Sequence, residues 1–307
     1  MNTPSRPRAT KIICTIGPAT DTSDMLGQLI EAGANVFRLN MSHSKHDWVR
    51  EVVFRIRRKA AELEANVAIL FDLQGPSIRT GDLAEPYHLK KGDTVEIRLG
   101  TAKPELPFST TVNYDGLLQD VQAGHTMVVD NGGILMRIAE VRPDRLICDV
   151  LTEGVFGSRR HINLPGVALR LPALTEKDLA DLAVAVECET DYVAMSFVRD
   201  AAHIAQLREH IDNLGGKAQI VAKIEDQQAV RHIDDIILAA DVIMVARGDL
   251  GIEVSIEELP IIQRRIVRHC HRLGRRCIVA THMLESMITQ PCLLYTSPSP
   301  RDMRRSR

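Results

Sequence analysis

Short apolar runs alternate with helical patterns at the start of the chain. Each apolar run has the length of a buried strand, and the stretches between them carry apolar residues at helical spacing. The predicted strands lie at residues 11–16, 35–39 and 67–71, and the predicted helices at about 22–33 and 45–65. Strands and helices that alternate in this way indicate parallel βαβ units.

The pattern changes after Gly75-Pro76, which can serve as a hinge. Up to about Leu171 the helical period is absent, and short alternating segments are separated by Gly, Asn and Asp clusters typical of hairpin turns. This stretch predicts an all-β domain inserted into the α/β one. We place the α/β part at residues 1–76 and 173–291, and the inserted domain at 77–172.

The βα rhythm returns at Thr175, which is expected to cap a helix with Asp178 as its reciprocal partner. Helices are predicted from about residues 201, 227 and 256. The further predicted strands lie at 191–196, 219–223, 241–246 and 277–281. The α/β part therefore has seven parallel-type strands, which favour a (β/α)8 barrel of the TIM type with functional residues at the C-terminal strand ends. No eighth βα unit follows in the sequence.

Residues 292–307 fit neither pattern. Their Ser-Pro repeats and arginine-rich end have no apolar period, which favours a disordered tail over a basic segment that binds a partner. The tail resembles translated adapter or vector sequence. We therefore expect a non-native tail on a C-terminally truncated chain, whose natural counterpart continues past Pro291.

Composition narrows the class of protein. The net charge of −2 argues against a nucleic-acid binder that relies on bulk positive charge. No apolar run approaches the roughly 18 to 20 residues of a membrane span, and residues 1–10 lack the apolar core of a signal peptide. The six cysteines form no C-x-x-C pair and are typical of a reducing cytoplasm. These features predict a cytoplasmic globular protein without nucleic-acid or membrane partners.

Charged residues follow two neighbouring apolar runs. Lys223-Ile224-Glu225 closes the first run and Arg247-Gly248-Asp249 closes the second. Adjacent strand ends would bring two carboxylates, an ammonium and a guanidinium into one small space. Two carboxylates suit a hard cation such as Mg²⁺, and the cationic groups suit an anionic, phosphorylated substrate. Helix capping by the carboxylates, and a Lys223 side chain that reaches the surface, stay open as alternatives.

Other predicted strand ends add polar groups. Arg38, Asn40 and Ser42 share one face of their strand. Arg38 suits a phosphate, and the side-chain oxygens of Asn40 and Ser42 suit a weakly bound cation. The alternative is a structural ion pair at Arg38 and a helix cap at Ser42. Asp72 can hold a cation, or it can orient a neighbouring arginine, either Arg38 or Arg79. Thr281 can bind substrate or relay a proton, or cap a helix.

These motifs together resemble those of the pyruvate kinase family. They follow one another in order from residue 10 to residue 291 and are jointly very specific. The matching segments are Thr10–Pro18, Phe37–His43, Asp72–Pro76, Asn163–Gly166, Leu171–Ala173, Ala222–Glu225, Ala246–Gly251 and Ala280–Met287. The barrel with an inserted β lid that characterises this family agrees with the architecture predicted above.

The resemblance implies transfer of a phosphoryl group from phosphoenolpyruvate to ADP, giving pyruvate and ATP in glycolysis. By position, Glu225 and Asp249 resemble the Mg²⁺ ligands. Lys223 resembles the lysine that stabilises the phosphoryl group in flight and the enolate left behind, and Arg38 resembles the phosphate-binding arginine.

Three further positions carry implied roles. Thr281, with the backbone of Gly248 and Asp249, resembles the cradle for the substrate carboxylate, and Thr281 lies near the point of enolate protonation. Arg79 resembles a contact to the nucleotide phosphates. The resemblance also implies a homotetramer for the full-length protein.

The resemblance leaves the need for K⁺ open. The residues that resemble the monovalent-cation site are Asn40, Ser42, Asp72 and Leu73, the last through its carbonyl. Members that need K⁺ usually carry Thr-Lys after the aspartate and Glu at the position of Ser77. Members that do not need K⁺ usually carry Leu-Gln and Lys at these positions. This chain has Leu73-Gln74, which favours independence of K⁺, but Ser77 supplies no charge. His282 also stands where the family usually has Gln.

Two other functions stay open. A Mg²⁺-dependent lyase or aldolase acting on a pyruvate-type enolate would use similar metal ligands, but it needs no nucleotide lid. An inactive ligand-binding fragment is the third reading, because an incomplete barrel exposes strand edges.

Overall fold

A computed structural model describes residues 9–130, 132–255 and 257–281. His282 and the predicted tail at 292–307 lie outside the described residues. Among the helices in the described ranges, none is long and apolar enough to cross a membrane.

The chain begins with three strands and two helices that alternate. These elements are β1 (Ile13–Ile16), α1 (Ser23–Glu31), β2 (Val36–Asn40), α2 (His46–Glu62) and β3 (Ala68–Asp72). The Thr22 side chain caps α1 by accepting a hydrogen bond from the backbone N–H of Met25. Helix α2 packs one apolar face inward, with Val49, Val52 and Ile56 fully buried at helical spacing.

The inserted domain follows β3 and is built mainly from strands. Its elements are β4 (Tyr87–Leu89), β5 (Thr94–Arg98), β6 (Ser109–Thr111), α3 (Leu117–Asp120), β7 (Thr126–Val129), β8 (Ile134–Val141), β9 (Arg145–Val150), β10 (Gly154–Phe156) and β11 (Ile162–Asn163). Six strands form one sheet in the order β11-β7-β8-β9-β5-β6, and β10 pairs with β4. The domain has its own apolar core around Ile97, Met127, Leu146 and Phe156.

The remaining elements resume the βα alternation. They are α4 (Glu176–Glu187), β12 (Tyr192–Met195), α5 (Ala201–Asn213), β13 (Gln219–Ile224), α6 (Gln227–Arg231), α7 (Ile233–Ala239), β14 (Val242–Ala246), α8 (Arg247–Glu253), α9 (Leu259–Arg272) and β15 (Arg276–Ala280). The capping box of Thr175 and Asp178 at the start of α4 is confirmed.

Two features of this half differ from the sequence pattern. A single helix is predicted from about residue 227, but the chain forms two short helices, α6 and α7. Helix α8 is not predicted at all, and it begins directly where β14 ends. Helices this short have little intrinsic stability, so their position depends on tertiary packing of residues such as Ile233, Ile236 and Leu250, which are buried.

Seven parallel strands form the curled central sheet. Their order is β1-β2-β3-β12-β13-β14-β15, and each neighbouring pair is parallel. The larger core lies between this sheet and the helices, whereas Leu70, Ala194, Val221, Val242 and Met244 form a separate cluster. The α/β fold with seven strands of a TIM-type barrel is confirmed, and in the described residues β1 and β15 stand at the two ends of the strand order.

Candidate active site

The C-terminal ends of the parallel strands bring polar residues from distant parts of the chain together. In the sheet register Asn40 lies beside Asp72, and Asp72 lies beside Ala194. Met195 in turn lies beside Ala222. The residues that follow these positions therefore share one edge of the sheet, where the active sites of such barrels lie.

Lys223 is the centre of this cluster. Its Nζ lies 2.9 Å from Glu225 Oε1 and 3.2 Å from Asp72 Oδ1, and donates a 2.8 Å hydrogen bond to Ser196 Oγ. Burial disfavours the ammonium, but the carboxylates of Glu225 and Asp72 outweigh it and raise the pKa of Lys223. Only 11% of the side chain is exposed. The lysine is thus charged and held in place, and the alternative that it extends to the surface is wrong.

Arg38 is anchored to the same cluster through Asp72. Its Nε donates a 2.7 Å hydrogen bond to Asp72 Oδ2, and its Nη1 donates a 2.9 Å hydrogen bond to Thr15 Oγ1. Asp72 therefore orients Arg38 and Lys223 together. A quarter of the Arg38 side chain is exposed, which leaves donors for an anion.

The second oxygen of Asp72 is less well satisfied. Asp72 is 1% exposed. Its Oδ1 accepts no hydrogen bond within the described residues, although Lys223 Nζ is 3.2 Å away. A buried carboxylate oxygen without a hydrogen bond calls for an explanation, and a catalytic role or a bound ion would supply one.

Glu225 and Asp249 form a pair of carboxylates beside Lys223. Glu225 Oε2 accepts a 2.6 Å hydrogen bond from the backbone N–H of Phe197, a residue held at a positive φ of 54°. Burial raises the pKa of Glu225; Lys223 opposes this increase and the nearby negative charge of Asp249 adds to it. The negative charge of Asp249 therefore adds to the cost of ionising Glu225 even with Lys223 beside it.

This donor set fits a Mg²⁺ ion. Magnesium is usually held by one or two carboxylates, with substrate oxygens and water completing its coordination. In the described ranges no group of three or more His, Cys, Asp and Glu side chains could hold a metal. Glu225 and Asp249 would supply two carboxylate ligands and leave the remaining positions to substrate and solvent.

The first turn of α8 follows β14 at the same edge. It consists of Arg247, Gly248 and Asp249, and the N–H of Gly248 donates a 3.1 Å hydrogen bond to Thr281 Oγ1. Arg247 Nε donates a 3.0 Å hydrogen bond to the carbonyl of Thr281. The Arg247 side chain therefore holds the residue that follows β15, whereas the Thr281 hydroxyl contacts the turn that contains Asp249.

The predicted monovalent-cation residues lie on adjacent stretches of the same edge. Asn40 Oδ1 accepts a 3.1 Å hydrogen bond from the N–H of Ser42. The carbonyl of Leu73 accepts a 2.7 Å hydrogen bond from Ser196 Oγ. Each of these oxygens keeps a second lone pair, so these contacts neither require a cation nor exclude one.

Arg79 is held within the inserted domain. Its Nε donates a 3.1 Å hydrogen bond to Ser77 Oγ, and its Nη1 donates one of 3.1 Å to the carbonyl of Arg159. The bridge partner of Arg79 is His161. Burial lowers the pKa of His161, while Asp249 opposes this change and Arg79 adds to it, so His161 is influenced by groups from both domains.

A cavity of about 290 Å³ lies between the inserted domain and the barrel. It is lined by residues from both, including Asn163, Leu169, Arg199, Glu225, Asp226 and Glu253. Burial, with the neighbouring charge of Asp226, raises the pKa of Glu253 to about 7. The cavity opens beside Glu225 and therefore continues the cluster around Lys223.

Sequence reasoning missed Ser196, Thr15 and Phe197. Ser196 is 3% exposed and bridges Lys223 Nζ to the carbonyl of Leu73. Ser196 is the first polar residue after the apolar residues of β12. The same signal, a polar residue after an apolar run, identified Asp72 at the end of β3. Phe197 contributes only a backbone N–H, which no pattern of side chains could predict.

The fold and the site define an α/β-barrel protein that gathers a buried lysine, an arginine and paired carboxylates at its strand ends. The family model described as pyruvate kinase, barrel domain, matches residues 7–296. The chain belongs to the pyruvate kinase family, as its motifs predict.

Curated relatives support the same family. The chain is 41% identical over 291 residues to plastidial pyruvate kinase 2 of Arabidopsis thaliana, covering 94% of this chain and 50% of that protein. It is 39% identical over 284 residues to a pyruvate kinase of Clostridium perfringens, covering 92% of this chain and 60% of that protein. The chain thus spans about half the length of the curated relatives it matches.

Proposed function

We propose that this chain carries the catalytic site for phosphoryl transfer from phosphoenolpyruvate to ADP. In this reaction the P–O bond to the enol oxygen breaks and a P–O bond to the terminal ADP oxygen forms. The enolate that remains takes up a proton at carbon and gives pyruvate. The observation that carries the proposal is the fixed ammonium of Lys223, held between Asp72 and Glu225 beside Arg38.

Each residue has a role that its surroundings support. Lys223 would stabilise the charge on the transferring phosphoryl group and on the enolate oxygen, because its ammonium is charged and already desolvated. Arg38 would bind the phosphate, since Asp72 fixes one side of its guanidinium and leaves other donors exposed. Phosphoryl transfer needs mainly such positioning and charge neutralisation from a protein.

The remaining assignments concern the metal, the carboxylate and the nucleotide. Glu225 and Asp249 would hold Mg²⁺, which when bound neutralises charge on phosphate oxygens. The backbone of Gly248 and Asp249, with the hydroxyl of Thr281, would bind the substrate carboxylate, which would replace the hydrogen bond that the Gly248 N–H donates to Thr281 Oγ1. Arg79 would contact the nucleotide phosphates from the inserted domain.

Further properties follow from the family resemblance. We infer a cytoplasmic enzyme of glycolysis that acts on small molecules, without nucleic-acid or membrane partners, and a homotetramer for the full-length protein. The residues Asn40, Ser42, Asp72 and Leu73 would form the monovalent-cation site if K⁺ is used. We also propose that residues 1–76 and 173–291 form the barrel and that residues 77–172 form the inserted domain.

A coupled assay tests this function directly. Formation of ATP from phosphoenolpyruvate and ADP in the presence of Mg²⁺ is expected, and it must be lost in a Lys223→Met variant. Cleavage or condensation of a pyruvate-type enolate without nucleotide would instead support a lyase or aldolase. Ligand-induced shifts in melting temperature without turnover would support a binding fragment.

A further inference from the structure

The chain passes between the barrel and the inserted domain at two crossings. It leaves the barrel after β3 through Gly75-Pro76 and returns through Thr175, just before α4. Asp178, in the first turn of α4, contacts both crossings. One side chain therefore lies at the root of the inserted domain and joins its two connections.

The carboxylate of Asp178 uses both of its oxygens in this way. Oδ1 accepts a 3.0 Å hydrogen bond from the N–H of Gly75, which is 103 residues away in the sequence. Oδ2 accepts hydrogen bonds from the N–H of Thr175 at 2.9 Å and from its hydroxyl at 2.6 Å. Asp178 is 0% exposed, so water does not compete for these bonds.

The capping box by itself does not require the bond to Gly75. A capping box satisfies two donors at the start of its own helix, and here Asp178 Oδ2 and the Thr175 hydroxyl form both of its bonds. Oδ1 is thus an additional contact that reaches from α4 to the other crossing. Because the acceptor is charged and buried, this bond is stronger than an ordinary backbone hydrogen bond.

The outgoing crossing is shaped to receive this bond. Gly75 has a φ of +71°, and a Cβ at this position would lie 2.9 Å from Ser196 Cβ and 3.0 Å from the Phe197 ring. Only glycine fits both the conformation and the space. Packing against Ser196 on one side and the carboxylate on the other fixes the direction of the Gly75 N–H.

We propose that Asp178 is a latch that fastens both crossings and limits how far the inserted domain moves relative to the barrel. A separate clamp acts on the return segment, where Arg199 donates hydrogen bonds to the carbonyls of Leu169 and Leu171. The latch differs from this clamp because it ties the outgoing crossing to the returning one. This role does not depend on which reaction the site performs.

The test uses the full chain labelled with ¹⁵N-glycine. In Asp178→Asn the amide cannot accept at both positions, so hydrogen exchange at the Gly75 N–H is expected to be faster by about 10-fold or more. The same sample reports domain motion through residual dipolar couplings. Glycines of the inserted domain, such as Gly92 and Gly124, are expected to show smaller couplings relative to barrel glycines, such as Gly33 and Gly215.

Asp181 supplies a matched control on the same helix. It is also 0% exposed, and its carboxylate pairs with Lys177 at 2.6 Å and His46 at 2.7 Å rather than with Gly75 or Thr175. Asp181→Asn is expected to leave Gly75 exchange and the dipolar couplings unchanged. The latch is wrong if the dipolar couplings of the inserted domain in Asp178→Asn stay as in the wild type, whatever the exchange rate at Gly75, or if Asp181→Asn changes both readouts equally.

A second variant keeps the proposal testable if Asp178→Asn does not fold. Thr175→Val removes only the hydroxyl that donates to Asp178 Oδ2 and accepts from its N–H. If one carboxylate fastens both crossings, loosening the return side also loosens the outgoing side, and Gly75 exchange should rise by about 3-fold. Unchanged Gly75 exchange in a folded Thr175→Val protein would contradict the coupling. None of these readouts requires turnover, so their failure is distinct from failure of the proposed function.

Discussion

Two buried ionic clusters, one in each domain, differ in how fully their charges are matched. In the inserted domain Glu96 is 0% exposed and lies 2.8 Å from Arg145 Nη1. The same carboxylate accepts backbone hydrogen bonds from Glu105 at 2.7 Å and Leu106 at 3.2 Å. In the barrel Glu225 is similarly buried, at 2% exposed, but it shares one lysine with Asp72 and faces the negative charge of Asp249.

The pKa directions of the two glutamates reflect this difference. Burial opposes ionisation of Glu96, yet its hydrogen bonds with Ser109 and the backbone outweigh burial and lower its pKa. Burial dominates at Glu225 and raises its pKa in spite of Lys223. Burial of a carboxylate therefore does not by itself identify a functional site. A buried negative charge that the protein does not neutralise is the better indicator, because a metal or a cationic part of the complex can neutralise it.

The largest expected effect is on turnover, at the lysine of the unmatched cluster. Lys223→Met is expected to reduce turnover by at least about 100-fold with little loss of fold, because one positioned cation is worth roughly 3 to 4 kcal/mol to the transition state. A coupled assay and a circular dichroism spectrum measure both quantities. Lys217→Met is the control, since Lys217 is an exposed residue just before β13 and should matter little. Near-normal turnover of Lys223→Met would remove Lys223 from the mechanism.

The second effect is on stability, and it should differ between the two clusters. Glu96→Gln removes the charge from a fully bonded carboxylate and is expected to cost about 2 kcal/mol of the free energy of unfolding. Glu225→Gln removes repulsion with Asp249 along with the bond to Lys223, and is expected to leave stability unchanged or higher. Urea denaturation without added Mg²⁺ measures both variants. Equal losses in the two would show that the clusters do not differ as the contacts indicate.

The third effect is a pH dependence. The raised pKa of Glu253, about 7, means that the folded state holds its proton more tightly than the unfolded chain. Its contribution to stability is therefore present at low pH and is lost as the pH rises to about 7. The pKa of Glu96 is lowered, so its contribution to stability has the opposite pH dependence. That contribution is present near neutral pH and is lost as the pH falls below the ordinary carboxyl range.

Melting temperatures between about pH 3 and pH 8 separate these two contributions. The advantage of Glu253→Gln over the wild type should grow as the pH rises toward 7. The disadvantage of Glu96→Gln should shrink as the pH falls below the ordinary carboxyl range. Parallel curves for both variants would contradict the opposite pKa directions.

The smallest expected effect is on the response to K⁺. With Leu73-Gln74 after Asp72 and no charge at Ser77, replacing tetramethylammonium chloride by KCl at constant ionic strength should change activity by less than about 2-fold. A titration of each salt in the coupled assay measures this. Strong activation by KCl would mean that the carbonyl of Leu73 and its neighbours bind the cation despite the uncharged Ser77.

Many elements were predictable from local pattern. Apolar runs placed all seven barrel strands to within about two residues, and the Thr175–Asp178 spacing predicted a capping box that the structure confirms. The short helices α6, α7 and α8 were not predictable, because fewer than eight residues carry too little periodicity. The presence of Lys223, Glu225, Arg38 and Asp72 at strand ends was also evident from the sequence, since each follows or interrupts an apolar run.

The sequence by itself determined the family, the alternation of strands and helices, and the side chains that carry charge at the sheet edge. Only the tertiary structure decided how those charges are shared. Lys223 lies between Asp72 and Glu225, Ser196 holds it from the next strand, and Asp178 reaches Gly75 across the root of the inserted domain. The reason is physical: periodicity along a chain reports which face a residue occupies, whereas a hydrogen bond between residues far apart depends on strand register and packing.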